Sequence, residues 1–189
     1  MAPGFPSVDL ESWTTKYKGY TLLLRLLHVA NSSEALAPQA IMLAMKQIIS
    51  EQSFQSEMYT TFTSLANTWN VHIDTPLDEN EVKEREKVLL KQLNAELTQA
   101  KTNLDKDGIR MALIRLGSHF VACGDLESAL KHFVRSRDHC TTTAHTVQMC
   151  MHVIEVCIHS KSFNQVANYA SRAEQAIAGA KQGADVDIM

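Results

Sequence analysis

Eight histidines and four cysteines give this sequence its clearest capacity for metal or nucleophilic chemistry. His145, His152 and His159 recur every seven residues, and Cys150 and Cys157 repeat at the same interval beside them. Ligands seven residues apart on a helix lie about 10 Å apart along its axis, whereas zinc needs its ligands within about 2.0–2.3 Å of one ion. The HExxH and paired CxxC patterns are also absent from the sequence. We therefore expect no metal site, and we interpret these histidines as buried or partner-facing side chains.

Nucleophilic catalysis has no recognisable arrangement in this sequence either. The G-x-S-x-G elbow, the phosphate-binding P-loop and the G-x-G-x-x-G fingerprint do not occur. His139 and Cys140 are adjacent, but no third member of a catalytic triad is evident near them. The sequence therefore predicts no catalytic residues and no cofactor, and we expect a protein that is not an enzyme.

The cysteines are interpreted as reduced, largely buried thiols. Three of the four lie among apolar neighbours in predicted helices, and the first eight residues lack the apolar stretch of a secretion signal. No apolar run reaches the 18 or so residues that a membrane-spanning helix needs. We therefore expect a location in the nucleus and cytoplasm, without membrane association.

A cluster of cationic side chains is the stronger candidate for binding. Its members are, in chain order, Arg110, Arg115, Lys131, Arg135, Arg137 and His139. Two interpretations stay open: a solvated face neutralised by nearby acidic residues, or a contact for an acidic partner or a phosphate. The 18 basic and 21 acidic residues leave a net charge of −3, which does not favour bulk electrostatic binding of nucleic acid. Direct nucleic-acid binding is therefore not expected.

The elements that must position these side chains are helices. Only seven glycines and four prolines occur, and the long interior is almost free of both. Apolar residues at helical spacing predict four helices in the N-terminal part, over residues 9–17, 21–30, 37–50 and 54–69. We expect the fourth to be followed by a long charged helix over 78–104, opened by a capping box at Asp78 and Glu81.

One apolar stripe follows the long predicted helix, flanked by charged and amide side chains. It consists of Val82, Leu89, Leu93, Leu97, Ala100 and Leu104. A single stripe is typical of a helix that packs along another surface. A solvated spacer helix is the alternative that the sequence leaves open.

Residues 110–143 fit a helix–turn–helix repeat of about 34 residues. Gly117 and Ala129 are small enough to let the two helices approach closely, and Gly124 with Asp125 is expected to form the turn. The predicted packing residues of this repeat are Leu113, Leu116, Gly117, Phe120, Gly124, Ala129 and Phe133. A second, looser unit is predicted from helices over 144–159 and 163–178, with Thr141–Thr143 capping the first of them.

The first helix of this repeat also offers a candidate groove. Its lining residues are Met111, Ile114, Ser118 and Val121. A mostly apolar groove is better suited to another helix than to a free carboxylate. We therefore expect a helix to occupy it, such as the one predicted over 78–104.

These patterns together predict an all-α protein of tetratricopeptide-like antiparallel helix hairpins, forming a right-handed α-solenoid with one long central helix. The expected organisation is helical hairpins over 1–73, a connecting helix over 78–104, repeats over 105–178 and a flexible tail over 179–189.

Several short runs give the sequence a family resemblance. They are Lys101–Leu104, Ile109–Met111, Ala122–Gly124, Arg137–Thr143 and Met149–Met151. In these runs the chain resembles the family of subunit 1 of the COP9 signalosome, over roughly residues 8–176. The resemblance implies a non-catalytic scaffold and interaction arm, since the metalloprotease chemistry in that complex belongs to another subunit.

The partners that the resemblance implies are other signalosome subunits and components of cullin–RING ubiquitin ligases, from whose cullins the complex removes a ubiquitin-like modifier. The family continues into a C-terminal PCI domain, which we expect to be absent from these 189 residues. Two alternatives stay open: a subunit of the proteasome regulatory-particle lid, and a stand-alone repeat adaptor that binds peptides or phosphate-bearing ligands.

Overall fold

The computed structural model describes residues 9–50, 56–72 and 79–186, and every regular element in these ranges is helical. The helices are α1 (Leu10–Thr14), α2 (Gly19–Ser32), α3 (Ala37–Ser50), α4 (Ser56–Thr68), α5 (Glu79–Thr102), α6 (Lys106–Cys123), α7 (Leu126–Ser136), α8 (Thr143–His159) and α9 (Phe163–Val186), with a 3₁₀ turn at Arg137–His139. The all-α class is confirmed, while the right-handed superhelical arrangement stays a prediction. Within the same ranges, no helix has both the length and the apolar character to cross a membrane.

Helix boundaries agree with the sequence pattern in most places and differ most at the ends of α1, α5 and α9. Helix α3 has the predicted bounds, and α9 begins at Phe163 as expected. It continues, however, past the predicted end at Ala178, so the segment up to Val186 has helical backbone rather than beginning a tail. Helix α1 ends at Thr14, before the predicted end at residue 17, and Gly19 opens α2 with a φ of +55°. The predicted start of α4 and the capping residue Asp78 lie outside the described residues.

Contacts between residues divide the chain into two compact units. The first comprises the described residues up to Glu86 together with Ala122–Gly124, and the second comprises Lys87–Val121 and the residues from Asp125 onward. In the first unit, α1 to α4 share one apolar core. Leu23 and Leu26 of α2, Ile41 of α3 and Phe62 of α4 are completely buried in it. This explains why α2 is apolar on nearly every side.

In the second unit, α5 packs along α6. Leu93 and Leu97 of α5 are buried against Ile109, Leu113 and Leu116 of α6. The sequence leaves open whether the long helix packs along another surface or is a solvated spacer. This part of the helix is packed.

Leu104 is not part of the stripe and is 84% exposed, which corrects the expectation for this residue. The reason is that α5 ends at Thr102 and the chain turns away with a φ of +54° at Leu104.

Side-chain caps begin α7 and α8. Asp125 Oδ1 accepts a hydrogen bond from the backbone N–H of Ser128 at 3.0 Å. Thr142 Oγ1 accepts one from the backbone N–H of His145 at 3.2 Å. Each cap satisfies one of the N–H groups that the first turn of a helix leaves without a carbonyl partner.

Replacing Asp125 by alanine should therefore lower the free energy of unfolding by about 1 kcal/mol. Asp125→Asn is the matched control, because its amide oxygen can still accept the hydrogen bond and the loss should be smaller. Urea unfolding followed by circular dichroism would measure both variants. Equal losses in the two would contradict the assignment of the cap.

Candidate partner-binding surface

The repeat over residues 110–143 is held together where α7 crosses Gly117 of α6. A Cβ atom built on Gly117 would lie 2.5 Å from Cε1 of Phe133, so the ring occupies the space that any other side chain would need. Phe133 is 2% exposed, and Ala129, one turn earlier on α7, is completely buried. The small residues therefore bring the two helices close, and the ring fills the gap beside them.

Two aromatic–histidine contacts also hold α7. The ring of Phe120 on α6 stacks on His132, with centroids 5.1 Å apart, and the ring of Phe133 stacks on His152 of α8 at 4.9 Å. The Nδ1 atom of His132 lies 2.8 Å from the carbonyl oxygen of Ser128, so Nδ1 donates to that oxygen. Helix α7 is thus fixed on two neighbouring helices, and its exposed residues have a defined position.

The exposed face of α7 and the 3₁₀ turn carry the candidate binding cations. Lys131 pairs with Glu127 at 2.8 Å, and the hydrogen bond and charge of Glu127 raise the pKa of Lys131. Arg137 pairs with Asp138 at 3.1 Å. Arg135 is exposed, and within the described ranges its side chain has no ion pair or hydrogen bond. Arg135 is therefore the cation of this face that could pair with a partner without first breaking an ion pair.

Both arginines on α6 are already paired with acidic side chains. Arg115 is exposed but pairs with Glu96 of α5 at 2.9 Å. Arg110 is only 5% exposed, so it does not belong to the binding surface, which corrects the expectation from the sequence. Its guanidinium donates to Asp107 at 2.8 Å and to the side-chain oxygen of Gln148 at 3.0 Å. Arg110 therefore ties the start of α6 to α8, while His139 lies half-buried in the 3₁₀ turn.

The predicted apolar groove is not open in the structure. Ile114 is buried with residues of α7 and α8, and Met111 and Val121 pack against the same cluster. Only Ser118 of the four lining residues is exposed. Helix α5 lies on a different face of α6, so the expectation that it fills this groove is also corrected.

The histidines and cysteines of α8 have separate surroundings. Nδ1 of His145 accepts a hydrogen bond from the backbone N–H of Thr141 at 3.4 Å, whereas His152 stacks on Phe133. All four cysteines are free, and Cys140 alone is not fully buried. Burial raises the pKa of the Cys140, Cys150 and Cys157 thiols. These three are therefore in the thiol form at neutral pH, which is a poor nucleophile.

These features define the class of protein, which is an all-helical repeat protein. Residues 78–186 match the family model described as 26S proteasome subunit RPN7. Because this match covers more than half of the chain, the chain belongs to that family.

Curated relatives extend the similarity toward the N-terminus. The chain is 34% identical over 180 residues to COP9 signalosome complex subunit 1 of Arabidopsis thaliana, an alignment that covers 89% of this chain and 39% of the relative. It is 31% identical over 170 residues to subunit 1 of Emericella nidulans, covering 88% and 34%. With subunit 1b of Drosophila melanogaster it is 25% identical over 226 residues, covering 89% and 42%. The resemblance noted in the sequence is confirmed, and the chain spans about two fifths of these relatives' length.

Proposed function

We propose that this chain is the helical-repeat arm of a COP9 signalosome subunit 1 and acts as a non-catalytic scaffold. Its partners are other signalosome subunits and components of cullin–RING ubiquitin ligases, in the nucleus and cytoplasm. The observation that carries this proposal is the similarity to curated signalosome subunit 1 proteins over 89% of the chain.

A proteasome lid subunit is the second candidate, because the matching family model is described by a proteasome subunit. The relatives from a plant, a fungus and an insect are all named as signalosome subunits and favour the first candidate. The two candidates share a fold and differ in the complex that they enter.

The contact surface in this proposal is the exposed face formed by Lys131, Arg135 and Arg137, with His139 at its end. Lys131 and Arg137 already form ion pairs with acidic side chains, and a carboxylate of the partner would have to displace those side chains. Arg135 has none among the described residues, so it is the anchor of the proposed contact. An exposed guanidinium can bind a carboxylate through two parallel hydrogen bonds without first breaking an internal one.

Reversing the charge of Arg135 and Arg137 should therefore weaken partner binding while leaving the fold intact. For Arg135→Glu/Arg137→Glu we expect about a tenfold loss of recovered partner, equivalent to about 1.4 kcal/mol. The measurement is affinity capture of the tagged chain from cell lysate, quantified by mass spectrometry. Circular dichroism melts should show nearly unchanged stability, because neither side chain is buried.

The matched control is Lys91→Glu/Lys106→Glu, which changes the net charge equally at exposed positions outside this surface. It should recover signalosome subunits as well as the unmodified chain does. Equal losses in both double variants would mean that only net charge matters, and the proposed surface would be wrong. Recovery of proteasome lid subunits instead would move the chain to the second candidate complex.

A further inference from the structure

His152 lies in an unusual place for a side chain that titrates near neutral pH. Its ring is nearly parallel to that of Phe133, with an angle of 9° and centroids 4.9 Å apart. Its Nε2 atom is buried and has no hydrogen-bond partner among the described residues. The ring that it covers is the one that fills the space over Gly117. His152 therefore forms the α8 side of the contact that holds α7 in the repeat.

Few charges near the His152 imidazole would stabilise its protonated form. Glu155, one turn along α8, is the charged group that acts on it, and His159 lies beyond that carboxylate on the same helix. From α7, the group that stacks on it is the uncharged ring of Phe133. Burial lowers the pKa of His152, and the charge of Glu155 opposes this effect without cancelling it.

We propose that the contact between α7 and α8 is a pH-sensitive element that loosens when His152 takes up a proton. In the imidazolium form both ring nitrogens carry hydrogen and the ring is charged, so the buried Nε2–H group is part of a cation and has no acceptor. Both changes disfavour the packed position. Moving the ring toward water relieves them, but it uncovers Phe133.

The direction of the pH effect follows from the lowered pKa. A free histidine titrates at about 6.5, and the folded protein holds His152 below that value. The unfolded chain then binds more protons than the folded chain as the solution becomes acidic. The contribution of His152 to stability is therefore complete above about pH 6.5 and is lost as the pH falls below it.

The test compares the unmodified chain with His152→Phe, which keeps a ring against Phe133 but cannot titrate, and with His152→Gln, which tests the same point with a smaller side chain. Melting temperatures are measured between about pH 7.5 and pH 5.5. We expect the melting temperature of the unmodified chain to fall by more between these two pH values than the melting temperature of either variant. His28→Gln is the control, because His28 is exposed on α2 and should leave the pH dependence unchanged.

A second measurement keeps the test valid should both variants fold poorly. The His152 ring proton is followed by NMR in the unmodified chain, and we expect it to titrate below the free value. The protection factors of the amides in α7 and α8, which are corrected for the intrinsic pH dependence of exchange, should fall as the pH falls over the same range. Titration at or above about pH 6.5 would overturn the proposal. An equal pH dependence of melting in the unmodified chain and the folded variants would overturn it as well.

Discussion

Replacing Phe133 by alanine is expected to lower the free energy of unfolding by about 3–5 kcal/mol. The side chain is 2% exposed and belongs to the core shared by α6, α7, α8 and α9. Its ring fits against Gly117 on one helix and stacks on His152 of another. Neither neighbour can fill the resulting cavity, since glycine has no side chain and the imidazole would have to leave its own position.

The matched control for this change is Phe163→Ala. Phe163 is the first residue of α9 and is 65% exposed, so its loss should change stability by no more than about 0.5 kcal/mol. Both variants are compared by urea unfolding followed by circular dichroism. Amide exchange in peptides from α6, α7 and α8 locates the effect. Tryptophan fluorescence would not report on these helices, because Trp13 and Trp69 lie in the other unit. Similar losses at the two positions would show that Phe133 has no special role in the repeat.

The helices were predictable because their signals are local. The bounds of α3 follow from apolar spacing, and Thr142 and Asp125 cap helices where short polar segments mark the turns. The approach of α7 to α6 was predictable for the same reason. Gly117 and Phe133 are separated by less than one repeat, so a fixed spacing in the sequence corresponds to a contact in the fold.

The end of the long helix could not be predicted in this way. Leu104 has the right residue type and spacing to continue the apolar stripe of α5. Its exposure depends on a left-handed backbone conformation that leucine adopts rarely and that its side chain does not signal. An apolar pattern therefore predicts a helix face well but locates the last residue of that face poorly.

The candidate surface was predicted in composition but not in exposure. The predicted repeat groups Arg110 with the cations of α7, yet its partner Gln148 is 38 residues away, and only the fold brings these two side chains together. The same applies to Arg115 and Glu96. Charge clusters in a sequence thus include structural ion pairs and available cations alike, and the fold separates Arg135 from the rest.

The groove was misassigned because the repeat pattern does not say which face of α6 meets which helix. Ile114 and Leu113 are adjacent, and they belong to different clusters, one with α7 and α8 and the other with α5. His152 illustrates the same limit. Its seven-residue spacing from its neighbours is visible in the sequence, whereas its stack on Phe133 of the preceding helix is not.

Replacing Gly117 by alanine should lower stability even though alanine favours helix formation. In an exposed helix this change would gain up to about 1 kcal/mol. Here the new Cβ would stand 2.5 Å from Cε1 of Phe133, and a buried ring stacked on His152 cannot move aside freely. We expect a net loss of about 1–3 kcal/mol, the usual cost of overpacking a core.

Gly179→Ala is the matched control, because Gly179 lies in α9 with no atom within 4 Å of the position of its missing Cβ. The same substitution should therefore stabilise the chain at Gly179 and destabilise it at Gly117, as measured by urea unfolding. Phe133→Leu replaces the ring by a smaller side chain, which leaves room for the methyl group of Ala at position 117. Gly117→Ala should therefore lower the free energy of unfolding by less in the Phe133→Leu background than in the unmodified chain. Additive effects of Gly117→Ala and Phe133→Leu would contradict a direct contact between the two positions, since additivity is the behaviour of residues that do not touch.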